Sequence, residues 1–411
     1  MFTFLHAADL HLDSPLRGLS RHEGAPVDEI RGATRRALTA MVDLALSEQV
    51  DFVVIAGDLY DGDQKDYATA LFFHREMLRL RDAGIPVVAI RGNHDAESVI
   101  TKALTLPENV TFLPVKHPGS FEVPGLPVSI HGQGFARPAV TENLVNGYPA
   151  AVPGRFNLGL LHTSLTGNPR HDPYAPCSLA DLKKKGYHYW ALGHIHQPEI
   201  IGRDPWVVYS GNIQGRKINE TGERGCFLVE VDEALEVCRH EFVSLDVVRW
   251  EHLELEISGL ETMDSLRGAM TREMADAFVK AGDRLLAIRL TLTGASSLHG
   301  VLHTDAHRWQ AECVTAAGEI DLNRIWFEQL KLATTPLVAP DELAQRDDLT
   351  ALVLESLEQF EPTELPPSVE SLEAKLPPSV VRVMTDEEEV NLSKEVAALV
   401  LHAITTSATE E

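Results

Sequence analysis

Cysteine is scarce in this chain of 411 residues, which holds four cysteines far apart in the sequence and no C-x-x-C pair. Disulfide-stabilised small domains and cysteine-based zinc sites both need closely spaced cysteines. The sequence indicates neither class of protein. We therefore expect all four thiols to be reduced, as is usual in the cytoplasm.

Long apolar runs are also missing. No stretch approaches the roughly 18 consecutive apolar residues that a membrane-spanning helix needs. The N-terminal residues MFTFLHAADLHLDS have no basic segment ahead of an apolar one, as a signal peptide would. We expect neither a signal peptide nor a membrane partner, and hence a cytoplasmic protein.

Positive charge is in deficit, because 36 Lys and Arg residues stand against 61 Asp and Glu residues, for a net charge of −25. About half of this excess lies in residues 341–411, which contain 17 acidic and 4 basic residues. The balance argues against non-specific coating of nucleic acid, which depends on neutralising phosphates. Nucleic acid held locally by a few basic side chains and bound cations remains compatible with it.

Three regions follow from the length and the pattern. Residues 1–245 alternate short apolar runs, such as FVVIA at 52–56 and PVVAI at 86–90, with amphipathic stretches, such as the helix predicted at 27–49. This alternation predicts an α/β architecture. The pattern restarts in residues 246–338, where strands at 250–257 and 284–293 and a helix at 263–281 predict a small α/β domain.

The third region, residues 339–411, combines acidic composition with two LPPS copies and predicts helices at 343–360 and 386–405. The last helix has an apolar stripe of Leu392, Val396, Leu399, Val400 and Ala403. A stripe of this kind packs either on the protein's own body or on a partner helix. The sequence leaves both open.

Five polar clusters each follow a predicted buried strand directly. They are Asp9-Leu10-His11, Gly57-Asp58, Gly92-Asn93-His94-Asp95, Leu161-His162-Thr163 and Gly193-His194-Ile195-His196. Loops at the carboxyl ends of strands converge at one edge of an open sheet, where α/β proteins bind ligands. Glycine precedes three of the clusters and permits the tight turns that aim side chains at a shared centre. We therefore expect the clusters to meet.

The residue types in these clusters select the chemistry. Asp and Asn oxygens with neutral imidazoles, and no thiolate, suit Mn²⁺, Fe²⁺ or Zn²⁺ in a reactive site better than a structural zinc. Seven ligands are too many for one tetrahedral ion and suit two ions that share a carboxylate: Asp9, His11, Asp58, Asn93, His162, His194 and His196. Such a pair acidifies a water and clamps phosphate oxygens. His94 would lie beside the phosphate and protonate the leaving oxygen or stabilise charge.

Each cluster alone has an ordinary explanation, since a histidine at a strand end is usually a hydrogen-bonded or surface residue. The specific feature is the series D-x-H, GD, GNHD, H and GHxH, in that order and each after a strand. The series as a whole favours a two-metal phosphoesterase.

The motifs resemble the calcineurin-like metallophosphoesterase superfamily, and within it the SbcD-type DNA-repair exonucleases of the YhaO-like branch. The resemblance rests on HAADLHLDSP, VIAGDLYDGD, IRGNHDAES, HGQGFAR, GLLHTSLTG, YHYWALGHIHQPEII and YSGNIQGRKINETGERGCFLVEV. It covers residues 1–245 well, thins over residues 247–337, and afterwards is little more than architecture.

The resemblance implies a four-layer α/β/β/α sandwich, a small α/β capping domain that engages DNA, and C-terminal helices that dock on an SbcC-like SMC-type ATPase. It also implies that Asp9, His11 and His196 hold one metal, that Asn93, His162 and His194 hold the other, and that Asp58 bridges them. His94 takes the family's catalytic position. Some members have a second histidine where this chain has Asp61, so Asp61 or Asp95 is left to orient His94.

Other polar residues have two explanations each. His131 either approaches the site or is a satisfied buried histidine, and Asp13 either lies behind the metal ligands or makes a turn and helix cap. The lysines at 183–185 either end a helix in solvent or contact DNA. Arg216, Lys217 and Arg224 are equally compatible with phosphate contacts and with structural roles. The long loop at 166–177 either shapes access or crosses the surface.

The sequence thus predicts a Mn²⁺-dependent phosphodiesterase that acts on DNA, as exonuclease or endonuclease, and is the catalytic subunit of an SbcC-like ATPase complex. A homodimer is left open. The alternatives are a phosphatase or cyclic-nucleotide-type phosphodiesterase that uses the same metals on small molecules or protein, and a scaffold that anchors a partner without catalysis.

Overall fold

The computed structural model describes residues 1–16, 19, 24–61, 67–97, 106–165 and 174–337. The chain divides into two compact units. The first unit contains residues 1–251 and 281–287, and the second unit contains residues 252–280 and the described residues from 288 onward. Within the described residues, none of the helices is both long and apolar enough to cross a membrane.

Two six-stranded sheets form the centre of the first unit. The strands of the first sheet, numbered in chain order, are β1 Phe2–Ala7, β2 Phe52–Ile55, β3 Val87–Ala89, β4 Val110–Phe112, β11 Gly225–Val231 and β12 Val237–Ser244. Their spatial order is β12-β11-β1-β2-β3-β4, with β1 to β4 parallel and β11 antiparallel to both its neighbours. Parallel β1, β2 and β3 thus end at one edge of the sheet.

The second sheet is built in the same way from later segments: β5 Gly119–Glu122, β6 Val128–Gly132, β7 Phe156–His162, β8 Tyr189–Gly193, β9 Glu199–Arg203 and β10 Trp206–Tyr209. The order is β5-β6-β7-β8-β10-β9. Strands β6, β7, β8 and β10 are parallel, whereas β5 and β9 are antiparallel edge strands. Parallel β7 and β8 therefore also end side by side.

Helices cover the outer face of each sheet: α1 Val27–Arg31, α2 Ala33–Ser47, α3 Tyr67–Asp82, α4 Asn93–Glu97 and α5 Leu179–Lys184, with a 3-10 turn at Leu144–Gly147. Between the sheets, the ring of Phe4 stacks on Phe52 at 5.0 Å and meets Tyr189 edge-on at 5.4 Å. Met41 of α2 and Leu182 of α5 are buried in the two outer cores. The layers are therefore α/β/β/α, which confirms the predicted fold.

The predicted helix at 27–49 is two helices rather than one. α1 ends at Arg31 and α2 begins at Ala33, with Gly32 between them. Glycine lowers the helical propensity at that point. The amphipathic character predicted for 27–49 is confirmed, because Ile30, Ala37 and Met41 are buried on one side.

The second unit is smaller and holds most of a three-stranded sheet in the order β13-β14-β15. Its elements are β13 Val248–Glu256, α6 Met263–Ala281, β14 Leu285–Ala295, α7 His299–Thr304, α8 Ala306–Ile320 and β15 Ile325–Thr335. Met270 of α6 packs against Cys313 of α8 in its core. Both strands and the helix predicted within residues 250–293 are confirmed, whereas α7, α8 and β15 were not predicted.

Several strands of the first unit were also not predicted. β4, β5, β9 and β12 have mostly half-buried or exposed residues, so they lack the continuous apolar runs that mark the central strands. The predicted helices at 343–360 and 386–405 lie outside the described residues, and so does most of the loop at 166–177.

Candidate metal centre

The five polar clusters meet at the carboxyl ends of β1, β2, β3, β7 and β8. Ligand atoms of Asp9, His11 and His196 lie within 4.8 Å of one another, and so do those of Asp9, Asp58 and His162. The carboxylate of Asp9 also accepts from the backbone N–H of His194 at 3.0 Å. Side chains that follow strands of both sheets therefore meet at one centre, as the position of the clusters after these strands predicts.

Asn93 and His194 complete the set of seven. The Asn93 side-chain oxygen lies 2.9 Å from His162 Nε2, and the ring of His194 lies 5.3 Å from that of His162. All seven residues predicted as ligands are thus brought together in the structure.

The backbone at this centre is bent into a left-handed conformation that side chains other than glycine rarely adopt. Asp9, His11, Asp58 and His194 have φ angles of 50°, 41°, 53° and 95°. Such a conformation carries a free-energy cost of order 1–3 kcal/mol per residue and is typical of functional sites. Gly193 permits the approach, because a Cβ there would lie 2.1 Å from the carbonyl oxygen of Ala56.

The imidazoles of His11 and His196 face each other, and the Nδ1 atom of each ring contacts a carboxylate. His11 Nδ1 lies 2.6 Å from Asp61, and His196 Nδ1 lies 2.8 Å from Glu220, which is closer than the 3.3 Å from His196 Nδ1 to Arg216 Nη2. These carboxylates favour the tautomer in which each Nδ1 carries the proton and donates it. The two Nε2 atoms are only 3.2 Å apart. Two lone pairs at that distance repel unless a cation or a proton lies between them, so the pair fits a metal ion.

His162 repeats this arrangement. Its Nδ1 donates to the carbonyl oxygen of Ala56 at 2.9 Å, while its Nε2 faces Asn93 Oδ1 at 2.9 Å and Asp58 Oδ2 at 3.4 Å. Burial acts to lower the pKa of His162, but the attraction of Asp58 outweighs it and raises the pKa to about 9. Without a metal the site therefore attracts a proton, and a divalent cation would replace that proton.

The two central carboxyl groups respond to the same surroundings in opposite ways. Burial raises the pKa of Asp9 to about 6. Burial acts in the same direction on Asp58, but the positive charge of His162 and its hydrogen bond hold the pKa of Asp58 well below its ordinary value. Oxygen and imidazole ligands thus gather in a buried site with their lone pairs converging. This is the ligand set of a two-metal centre.

His94 lies at the open side of this centre. Its side chain is 43% exposed, its ring is 5.0 Å from that of His11, and its Nδ1 is 3.6 Å from Asp61. The backbone N–H of His94 donates to Asp58 at 3.0 Å. His94 is thus fixed beside the centre by its backbone while its imidazole can reach a substrate.

Asp61 lies 3.6 Å from the His94 ring but closer to His11, whereas Asp95 is bonded to backbone groups. Asp61 makes its short contact with His11 rather than His94. Asp95 is fully buried and accepts from the backbone N–H groups of Leu59, Tyr60 and Gly92. Asp95 therefore braces the loops after β2 and β3.

Most of the residues with two explanations turn out to be structural. His131 is buried and bonded to Ser120 and Asn157. Asp13 pairs with Arg35 and Thr69.

Two further basic side chains are also structural. Lys185 donates to the carbonyl oxygen of Tyr148 at 2.7 Å. Arg224 is buried and donates to the carbonyl oxygen of His196, so it is a structural group rather than a phosphate contact.

Two residues of the centre were not predicted. Glu220, which holds His196, lies in the loop between β10 and β11, and no sequence spacing connects it to the histidine motifs. Tyr174 lies in the segment 166–177, and its ring lies 4.9 Å from that of His194. Both contacts arise from the folding of distant loops, so periodicity carries no signal for them.

Comparisons with known proteins agree with this geometry. Residues 2–198 match the calcineurin-like phosphoesterases, and residues 250–335 match the middle domain of metallophosphoesterase YhaO. Over 298 residues the chain is 36% identical to the uncharacterized metallophosphoesterase YhaO of Bacillus subtilis, covering 72% of each chain. Over 251 residues it is 28% identical to the DNA double-strand break repair protein Mre11 of Saccharolobus solfataricus, covering 58% of this chain and 62% of that one.

A solved structure is also similar in part. It is a dimetal phosphatase from Danio rerio, 14% identical, which covers 56% of this chain and 93% of its own with a TM-score of 0.34. A match at that score has no bearing on the function.

Proposed function

We propose the function of this chain from its family, since the chain belongs to the calcineurin-like metallophosphoesterases, which are hydrolases. We infer that it is a two-metal phosphodiesterase that cleaves DNA. The observation that carries the two-metal part of this inference is the convergence of acceptors: His11 Nε2 faces His196 Nε2, and His162 Nε2 faces Asn93 and Asp58. Divalent cations satisfy all of these groups at once.

The proposed ligand assignment follows the family. One ion would be held by Asp9, His11 and His196, whose ligand atoms lie within 4.8 Å of one another. The other would be held by Asn93, His162 and His194. Asp58 would serve both, because its Oδ2 is 3.8 Å from His11 Nε2 and 3.4 Å from His162 Nε2.

When bound, two such cations polarise the phosphate oxygens and lower the pKa of a water. The protein's own contribution to the reaction is the placement of His94. Its exposed imidazole is positioned to donate a proton to the oxygen that leaves phosphorus. The hydrogen bond from its backbone N–H to Asp58 holds the residue next to the centre. General acid catalysis of this kind contributes about 10²- to 10⁴-fold to rate.

Mn²⁺ is the proposed ion. Three of the seven proposed ligands, Asp9, Asp58 and Asn93, offer carboxylate or amide oxygens that suit Mn²⁺, whereas the four imidazoles also accept Fe²⁺ or Zn²⁺. Metal-free protein supplemented with each ion separately distinguishes these choices, and the highest rate should be obtained with Mn²⁺.

DNA is proposed as the substrate because of the relatives. The similarity to a DNA double-strand break repair protein extends over 58% of the chain. The negative net charge of −25 speaks against broad DNA coating. We therefore propose that DNA is held locally, through the cations and with help from a DNA-engaging domain at 246–338.

The resemblance to SbcD-type exonucleases suggests a partner. We propose that this chain works in the cytoplasm as the catalytic subunit of an SbcC-like ATPase complex, and that the acidic segment at 339–411 docks on that ATPase. Pulldown of a purified SbcC-like ATPase by the full chain, but not by a chain ending at residue 338, would support this assignment.

The direct test uses the purified full chain and blunt linear duplex DNA. We expect Mn²⁺-dependent release of nucleotides that ends when the metal is chelated. Cleavage of p-nitrophenyl phosphate with no attack on DNA would instead identify a phosphatase. Two bound ions with no hydrolysis of any ester would favour a scaffold.

A further inference from the structure

Two carboxylates contact the Nδ1 atoms of His11 and His196, on the side of each ring that faces away from the metal centre. Asp61 lies 2.6 Å from His11 Nδ1, and Glu220 lies 2.8 Å from His196 Nδ1. Each carboxylate can only accept, so it fixes the tautomer in which Nδ1 carries the proton and Nε2 presents its lone pair to the centre. Acceptors of this kind orient a ligating histidine and raise its basicity.

Arg216 lies between these two carboxylates. Its Nη1 is 3.5 Å from Asp61 and its Nη2 is 3.1 Å from Glu220. The side chain is only 14% exposed. A guanidinium with two carboxylate neighbours attracts both negative charges and so favours their positions beside the two Nδ1 atoms.

Glu220 is the better fixed of the two carboxylates. Its Oε1 accepts from His196 and from Arg216 Nη2, and its Oε2 accepts from Asn212 Nδ2 at 2.9 Å and from the backbone N–H of Arg216 at 2.8 Å. The residue is 5% exposed. All of its bonds therefore require an acceptor on both oxygens, which only a carboxylate provides.

The other end of the centre is held differently. His162 Nδ1 donates to a backbone carbonyl oxygen, that of Ala56. A neutral amide oxygen cannot be removed by a side-chain change and increases the basicity of the imidazole less than a carboxylate does. His162 thus differs from His11 and His196 in the group that accepts from its Nδ1.

We propose that Glu220 is a positioning residue for the ion bound by Asp9, His11 and His196, that it acts through His196, and that Arg216 links it to Asp61. Loss of Glu220 should weaken this one position and leave the position of Asn93, His162 and His194 unchanged. The inference rests on the proposed two-metal site, but it does not depend on DNA as the substrate.

Glu220→Gln tests this proposal with a readout of metal binding rather than activity. An amide has one acceptor oxygen, so it cannot accept from His196 and also from Asn212 and the Arg216 backbone. Titration of metal-free protein with Mn²⁺ in a calorimeter should show two ions for wild type. In the variant, one ion should bind with unchanged affinity and the other about 10- to 100-fold more weakly.

The matched control is Glu76→Gln, which changes another buried glutamate that pairs with an arginine, Arg79, on helix α3. It should bind both ions like wild type. Glu220→Asp keeps a carboxylate and should recover part of the lost affinity. If Glu220→Gln does not fold, Asp61→Asn makes the same test at His11.

The proposal is overturned if Glu220→Gln binds both ions as wild type does, or if it folds and loses both ions equally. Its failure can be told apart from failure of the proposed function. Wild type that binds two Mn²⁺ ions but leaves DNA intact would contradict the assigned substrate only. Wild type that binds fewer than two ions would contradict the metal centre itself and this inference with it.

Discussion

The two units of the chain use polar residues in opposite ways. In the first unit, Asp9, His11, Asp58 and His194 have left-handed backbones and converge in a buried centre. In the second unit, residues 252–280 and 288–337 contain no positive φ outside glycine. Partly buried charges there pair with each other, as in the contact of Arg289 with Glu328. The first unit thus contains non-glycine residues with left-handed backbones and acceptor atoms that face one another, and the described part of the second unit has no such backbones outside glycine.

This difference locates the function. A strained backbone conformation lowers the stability of a folded chain, and so do buried acceptors without a donor between them. Both persist only where the surrounding structure enforces them. The sandwich supplies that enforcement, because the strands on both sides of the centre are fully buried. Changes at the centre should therefore affect metal binding, and similar changes in the second unit should leave metal binding unchanged.

The largest expected effect comes from Asp58→Ala. The variant removes the carboxylate between His11 and His162, so it should lose bound metal and lower the rate of phosphodiester cleavage by about 10³-fold or more. Metal content by mass spectrometry and cleavage rate measure both effects. Glu328→Gln removes a buried carboxylate charge of the second unit and should leave metal content unchanged. Wild-type metal content in Asp58→Ala would remove the distinction between the units.

His94→Ala should separate the effect on metal binding from the effect on the rate of cleavage. His94 is half-exposed and its imidazole is assigned to proton donation, so both ions should stay while the rate falls about 10²- to 10⁴-fold. Metal titration and cleavage rate, measured on the same preparation, check this. A wild-type rate would contradict the role of His94, and loss of an ion would make His94 a ligand.

Gly193→Ala tests the close approach that the centre requires. A Cβ at this position would lie 2.1 Å from Ala56 O and 2.9 Å from His162 Nδ1. Backbone must therefore move, and we expect the free energy of unfolding to fall by about 1–3 kcal/mol, as for an overpacked core. Weaker metal binding should accompany it, because His162 is displaced. Chemical denaturation with and without Mn²⁺ measures both; an unchanged variant would show that β8 and β2 separate easily.

Much of the first unit could be predicted from the sequence because its central strands and its ligands are marked locally. A buried parallel strand is a continuous apolar run, such as FVVI in β2, and the polar cluster follows directly. The convergence of the clusters then follows from the parallel arrangement alone. Edge strands such as β5 and β9 alternate weakly and escape this kind of prediction.

What the sequence could not supply is contact between loops. Asp61 was expected near His94 but contacts His11 most closely, and Glu220 reaches His196 from a separate loop. Arg224 was equally compatible with phosphate and with structure until its burial was known. Side-chain pairing of this kind depends on tertiary geometry of a few ångströms, which residue type and spacing do not encode.

The smallest expected effect has the opposite sign and lies in the second unit. Gly268 sits within helix α6, and a Cβ there would meet nothing within 4 Å. Alanine restricts the unfolded chain and favours the helix, so Gly268→Ala should stabilise the protein by about 0.5–1 kcal/mol. The thermal midpoint should rise by about 1–3 °C while Mn²⁺ affinity stays the same. The same substitution thus destabilises at Gly193 and stabilises at Gly268; a loss of stability at both would show that the second unit is packed as tightly as the metal centre.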